Sequence, residues 1–313
     1  MLVFDARRLH GQILAALESL EDRERYIDAL AYHAWEAKDA AKTLAYNERA
    51  GDAALEQRAL AEAASCFERA REAATDDDDR ARLAERVGTV ASLQGRLARA
   101  VDAFEIAYAI RLRRDEFDAA ATILCAGMID RNNLGDLQAA MLGQAFLQRH
   151  GHALAPAIRD RLLVNTARLI AAQYDFATAD RLLSAISDPR SLVPRAFSNY
   201  LVTSLERNFY YGEAARWRAL VPDFLENLTR IASPLQVIGH YTLVQMASHM
   251  GANDLAEQAL LAAQRLERDA GYGASPCTAM RFVRRTISSG DVWSSRGSTS
   301  SGRSNGPISR ALR

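Results

Sequence analysis

GDAALEQRALAEAASCFERA (residues 51–70) and GTVASLQGRLARAVDAFEIA (residues 88–107) decide the fold of this chain. Gly51, Ala63, Phe67 and Ala70 return as Gly88, Ala100, Phe104 and Ala107, each displaced by 37 positions. In each copy an Ala follows the Gly by 12 residues, a Phe comes 4 later and an Ala 3 after that. A helix-turn-helix repeat needs this order. The small residue lets two antiparallel helices approach, the Ala keeps the second helix close, and the aromatic fills the seam with the next unit. The pattern predicts a stacking scaffold, and a scaffold offers a surface to partners before it offers chemistry.

Outward from these copies, apolar residues recur at three- and four-residue steps and no window alternates with period 2. The reading is all-α from about residue 5 to about residue 286. Helices are expected over Asp5–Leu20, Glu24–Ala37, Asp39–Gln57, Leu60–Ala74, Arg80–Leu93 and Ala98–Arg113, with Gly95 in a turn. Beyond them the repeat decays while its turn signature persists. It is read at Leu134-Gly135-Asp136-Leu137, Tyr174-Asp175-Phe176, Tyr210-Tyr211-Gly212 and Asn253-Asp254-Leu255. Ala155-Pro156 and Ser233-Pro234 read as helix starts, with proline at the first helical position.

Three segments follow: a leading helical hairpin at 1–38, repeats at 39–286, and a Ser/Gly/Arg-rich tail at 287–313. The tail holds too little apolar surface to offset the entropy of ordering and is expected to be disordered. Six or seven hairpins are expected in all, and an array with exposed apolar ends is open to self-association.

The composition excludes several classes. Net charge is zero, from 39 basic and 39 acidic residues, so no global field draws the segment to nucleic acid or to an anionic membrane. No stretch approaches the roughly 18–20 apolar residues of a membrane span, and MLVFDARRLH lacks the apolar centre of a signal peptide. Three cysteines, Cys66, Cys125 and Cys277, lie far apart without metal-ligand spacing, which fits a reducing cytoplasm.

The repeat resembles the tetratricopeptide family, with Gly51/Gly88 in its small-residue slot and Ala63/Ala100, Phe67/Phe104 and Ala70/Ala107 on its second helix. Its period exceeds the usual 34 by three. A narrower resemblance covers roughly residues 5–75. Leu9-His10, Ile13, Ala15, Ala16, Leu17 and Glu18, then His33, Ala37 and Asp39, are similar to the start of the repeat region in large bacterial signal-transduction ATPases. These include LuxR-type transcriptional regulators and ATPase-linked nucleotide cyclases. Lys38 stands where that pattern usually has Gly. The resemblance implies a sensor or interaction portion working with domains not encoded here. No G-x-x-x-x-G-K-[ST] loop is present and the DNA-reading helix-turn-helix is missing, so the ATPase and DNA-binding domains are both absent from the reading.

No chemistry competes with that reading. Asp76–Asp79 precede a helix start, where carboxylates cap exposed N–H groups. His150-Gly151-His152 lacks the third ligand a zinc site wants, His10 and His33 read as packing residues, and His240 and His249 fall on opposite helix faces. Phe209-Tyr210-Tyr211 with Trp217 reads as packing between repeats. No catalytic residue, cofactor or metal is expected. The candidates for partner contact are polar residues on the first helix of each pair, which lines the inner groove of such arrays. They are Glu48 and Asp52, Arg82 and Glu85, Asn132, Arg161 with Asn165 and Arg168, and Asn199. A groove of both charge signs suits a protein or peptide partner, or a neighbouring domain of a larger regulator.

Overall fold

A computed structural model describes residues 2–231 and 233–269, with fourteen α-helices and no strand among them. They are α1 (Leu2–Glu18), α2 (Ile27–Glu36), α3 (Ala40–Glu56), α4 (Leu60–Ala73), α5 (Asp77–Leu93), α6 (Leu97–Arg113) and α7 (Phe117–Asn133). There follow α8 (Ala139–His150), α9 (Pro156–Ala171), α10 (Phe176–Leu183), α11 (Pro194–Tyr210), α12 (Ala214–Leu228), α13 (Ser233–His249) and α14 (Asn253–Asp269). The fold is all-α, built of tetratricopeptide-like helical hairpins. The chain divides between Phe224 and Leu225 into two compact units. In the first, each helix from α1 to α9 packs on the next, which makes a solenoid of stacked hairpins. In the second, α13 pairs with α14 around Val237, Tyr241 and Ala263. The tail read at 287–313 and Cys277 lie outside the described residues.

One backbone device closes the hairpins. Lys38, Arg58, Gly95, Asp115, Gly135, Tyr174, Gly212 and Gly251 hold φ between 57° and 88°, each just beyond a helix end. The left-handed residue turns the last carbonyls back toward amides, as the Ala59 N–H donates to Ala54 O and the Arg96 N–H to Ala91 O, both at 2.8 Å. The turns inside successive hairpins, at Arg58, Gly95, Gly135, Tyr174, Gly212 and Gly251, recur 37, 40, 39, 38 and 39 positions apart. Lys38, standing where glycine is usual in the pattern, takes the glycine conformation itself. Several boundaries differ from the sequence reading: α1 runs Leu2–Glu18 rather than Asp5–Leu20, and α2 begins at Ile27 rather than Glu24, after a 3-10 turn at Arg23–Tyr26. Asn253 opens α14, and the chain turns two residues earlier at Gly251. Helix α5 begins at Asp77 rather than Arg80, because Asp76 is its N-cap and accepts the Asp79 N–H at 2.9 Å. Asp39 caps α3 and Asp175 caps α10 in the same way, and Pro156 follows Ala155 at the first position of α9.

The glycines of the quoted repeat face the phenylalanines. A Cβ built on Gly51 would stand 2.7 Å from Phe67 Cε1, and one on Gly88 would stand 2.8 Å from Phe104 Cδ1. Ala63, Ala70, Ala100 and Ala107 beside them are fully buried, so the second helices lie close on the first. Phe67 shares a core with Leu83 and Val87 of the next first helix, which joins the units.

The same geometry explains the decay of the repeat. Gly127, Ala139, Gly143 and Phe146 keep the spacing of Gly51, Ala63, Phe67 and Ala70, with the aromatic moved three residues on. The vacated ring position at Gly143 is taken by Met128 and by the hydroxyl of Thr166, which would collide with any Cβ there. Phe146 is buried in the large core around Leu162 and Ile170 instead. The seam survives with different filling.

Gly88→Leu is expected to overfill the seam and lose about 1–3 kcal/mol in urea unfolding. Phe104→Ala combined with it should recover part of that loss, because the two positions share one space.

Candidate functional site

The inner face is built from the first helices of the hairpins, and most of its polar side chains pair with one another. Between α3 and α5, Glu48 pairs with Arg82, and Asp52 with Arg86 at 3.3 Å. Between α5 and α7, the Ser92 hydroxyl donates to Asp130 Oδ1 at 3.0 Å. Between α9 and α11, Asn199 Nδ2 donates to Asn165 Oδ1 at 3.0 Å, and Arg168 Nη1 meets Glu206 Oε2 at 2.8 Å. Burial pushes the Glu206 carboxyl above its ordinary range, and Arg168 opposes that shift. These links place Glu48, Asp52, Arg82, Arg168 and Asn199 in pairs that run across successive hairpins. Asn132 is half-buried near the end of α7, where its carbonyl accepts the Gly135 N–H at 2.9 Å as part of the turn.

Glu85, Arg161 and Asn165 do meet, around a pocket of about 480 Å³ between α5, α7, α9 and α11. Its two sides differ in charge. Glu85 and Asp130 come from α5 and α7, whereas Arg161 and Arg195 come from α9 and α11. Phe104, Ile123, Ile129 and Val193 line the stretch between. Asp130 is 4% exposed, and its Oδ2 has no hydrogen-bond partner among the described residues. Burial raises its pKa, and the Ser92 hydrogen bond and the field of Arg195 lower it by less.

Ten arginines stand on α3, α5, α7, α9 and α11. Eight are in ion pairs. The two that are in none among the described residues, Arg161 and Arg195, both line this pocket.

Asp130, Arg195 and the turn glutamines were missed by the sequence reading, and each had a signal. Asp130 follows Ile123 and Gly127 at steps of four and three, so an acid occupies a buried row of α7. Arg195 stands in the first turn of α11, the positive helix end, where a cation is locally disfavoured. Gln94 and Gln173 each precede a left-handed turn residue and donate to the previous hairpin, at Leu60 O (2.8 Å) and Leu137 O (2.7 Å).

The remaining features have structural partners. The His150 ring stacks on Phe117 with centroids 4.5 Å apart. His10 and His33 share a 2.8 Å contact between their Nδ1 atoms, joining α1 to α2. Of the Asp run, Asp77 meets Arg80 at 3.5 Å and Asp78 meets Arg111 at 2.5 Å. Tyr210 and Tyr211 are half exposed and pack on Phe176 at 4.9 and 6.1 Å between ring centroids, while Trp217 is fully buried. Among the described residues no group of three His, Cys, Asp or Glu side chains could hold a metal ion. No described helix is long and apolar enough to cross a membrane.

No protein-family model and no curated protein matches the chain. Among solved structures, the crystal structure of BtubC (BKLC) from P. vanneervenii is similar at a TM-score of 0.39 and 13% identity. That comparison covers 98% of this chain and 100% of the other. The all-α assignment rests on the helices of this chain.

Arg168→Ala should cost about 1–3 kcal/mol in urea unfolding, since it leaves the Glu206 carboxylate without its partner. Arg161→Ala should stay within about 0.5 kcal/mol of wild type, because it breaks no ion pair.

Proposed function

We propose that the chain is a non-catalytic interaction or sensor module, the regulatory repeat region of a LuxR-like or related ATP-dependent transcriptional regulator. The observation that carries the interaction reading is the pocket on the first helices, where the two unpaired arginines of that face converge. A cation left out of ion pairs on a face otherwise cross-linked adds little to the scaffold and remains available to a partner. The regulator part of the reading is supported by the Leu9-to-Phe67 residues described above, and by the left-handed Lys38 at that pattern's glycine slot. The non-catalytic part is supported by the two thiols among the described residues. Burial pushes both Cys66 and Cys125 above the ordinary thiol range, which keeps them protonated and poor nucleophiles.

A second reading, a stand-alone adaptor that binds peptide segments, is favoured by the two charge signs within one pocket, since a peptide carries both. The partner is a protein or peptide, and a sensor can also take a small ligand; in either reading the site works by binding alone.

The immobilised full chain is expected to enrich peptides from a displayed random library. Arg161→Gln with Arg195→Gln should abolish that enrichment while leaving the unfolding curve close to that of the wild type. Equal enrichment by both proteins, or none by the wild type, would contradict the interaction reading. Sequencing several hundred codons to either side of the gene separates the two versions. A phosphate-loop ATPase in an adjoining frame is expected for the regulator, and its absence favours the adaptor.

A further inference from the structure

The pocket of unit one is specific enough in its chemistry to name a ligand class, and this step rests on the interaction reading above. We propose that the pocket between α5, α7, α9 and α11 is a site for a small zwitterion, a free amino acid or a di- or tripeptide, with its amine at Asp130 and its carboxylate at Arg161 and Arg195.

Four observations carry the assignment. The first is size, since about 480 Å³ lies within the roughly 300–1,000 Å³ of small-ligand pockets. The second is polarity, because the lining carries acids from α5 and α7, bases from α9 and α11, and apolar residues beside them. A ligand with one charge sign would satisfy one side and be repelled by the other.

The third is the unfilled valence of Asp130. Its Oδ1 accepts from Ser92, whereas its Oδ2 is buried without a donor. A buried carboxylate oxygen left in this state is costly, and an ammonium group brings both the charge and the N–H it lacks. Arg195 acts on Asp130 through its field without forming an ion pair with it.

The fourth is the basic end. Arg195 sits in the first turn of the seventeen-residue α11, so the positive helix end and its guanidinium add at one place. Arg161 joins it from α9. A planar guanidinium fork matches a carboxylate, and two such groups lining one pocket can both donate to it. Glu85, Thr89, Thr122 and Asn165 add polar lining, and the Thr89 and Thr122 hydroxyls, which donate to Glu85 O and Asp118 O, can accept from N–H groups of the ligand.

The test is isothermal titration of the full chain with the free amino acids and a panel of di- and tripeptides. Each ligand that binds is then compared with its N-acetyl and its methyl-ester forms. The expected result is binding by at least one zwitterion, weakened about ten- to a hundredfold by blocking either end. Arg161→Gln should mimic the ester by weakening the parent ligand to a similar degree. Asp130→Asn should mimic the acetyl form. If that variant does not fold, the acetylated ligand on the wild-type protein still tests the amine contact.

Binding that survives both blocking groups, or that is unchanged in Arg161→Gln, overturns the proposal. So does the absence of binding by any zwitterion. If long peptides from the displayed library are still captured in that last case, the interaction reading stands and only the ligand assignment falls.

Discussion

The contact of a glycine backbone with a phenylalanine ring, at Gly51–Phe67 and Gly88–Phe104, is the constraint on which the rest of the first unit depends. A ring seated where a Cβ would be sets how near the second helix lies to the first, and its far side meets the next first helix. The first helices therefore stand side by side. Polar side chains on their facing surfaces are costly to bury without partners, and many of them pair across the hairpins. The packing seam and the polar inner face are consequences of one close approach.

That inner face has an economy of charge which the pocket interrupts. From α3 to α11 each hairpin is tied to the next by at least one polar contact, from Glu48–Arg82 to Arg168–Glu206. Around Arg161, Arg195 and Asp130 the pattern breaks: among the described residues two cations lack an ion pair and a buried carboxylate oxygen lacks a donor. Exposed surface would tolerate such groups singly. Their convergence on one concave lining places the departures where a ligand can complete them.

Much of this was legible in the residues. The 37-residue repeat placed Gly51, Phe67, Gly88 and Phe104 in one seam, and helices α3, α4 and α6 fall within a residue of their expected bounds. Turn signals at Gly95, Gly135, Tyr174 and Gly212 each hold a left-handed residue. Beyond Gly127 the repeat faded because volume was redistributed: Phe146 moved one turn along α8, and Met128 with Thr166 filled the space. A reading tied to residue type loses such a unit, whereas one tied to turn position keeps it. The site was half legible. Spacing put Glu85, Arg161 and Asn165 on first helices, but it could not show which charges find partners on neighbouring helices. Glu48, Asp52 and Arg82 looked equally available in sequence, and three-dimensional pairing separates them from Arg161. The tail read at 287–313 falls outside the described residues.

The most direct test of the central claim is the exchange of arginine Nη protons with water, followed by nitrogen-15 NMR on the ligand-free chain and assigned with single Arg→Lys variants. The account predicts slow exchange for Arg82 and Arg168, held by their carboxylates, and fast, solvent-like exchange for Arg161 and Arg195. Protection of Arg161 and Arg195 equal to that of Arg168 would contradict it, because both cations would then already be engaged within the scaffold.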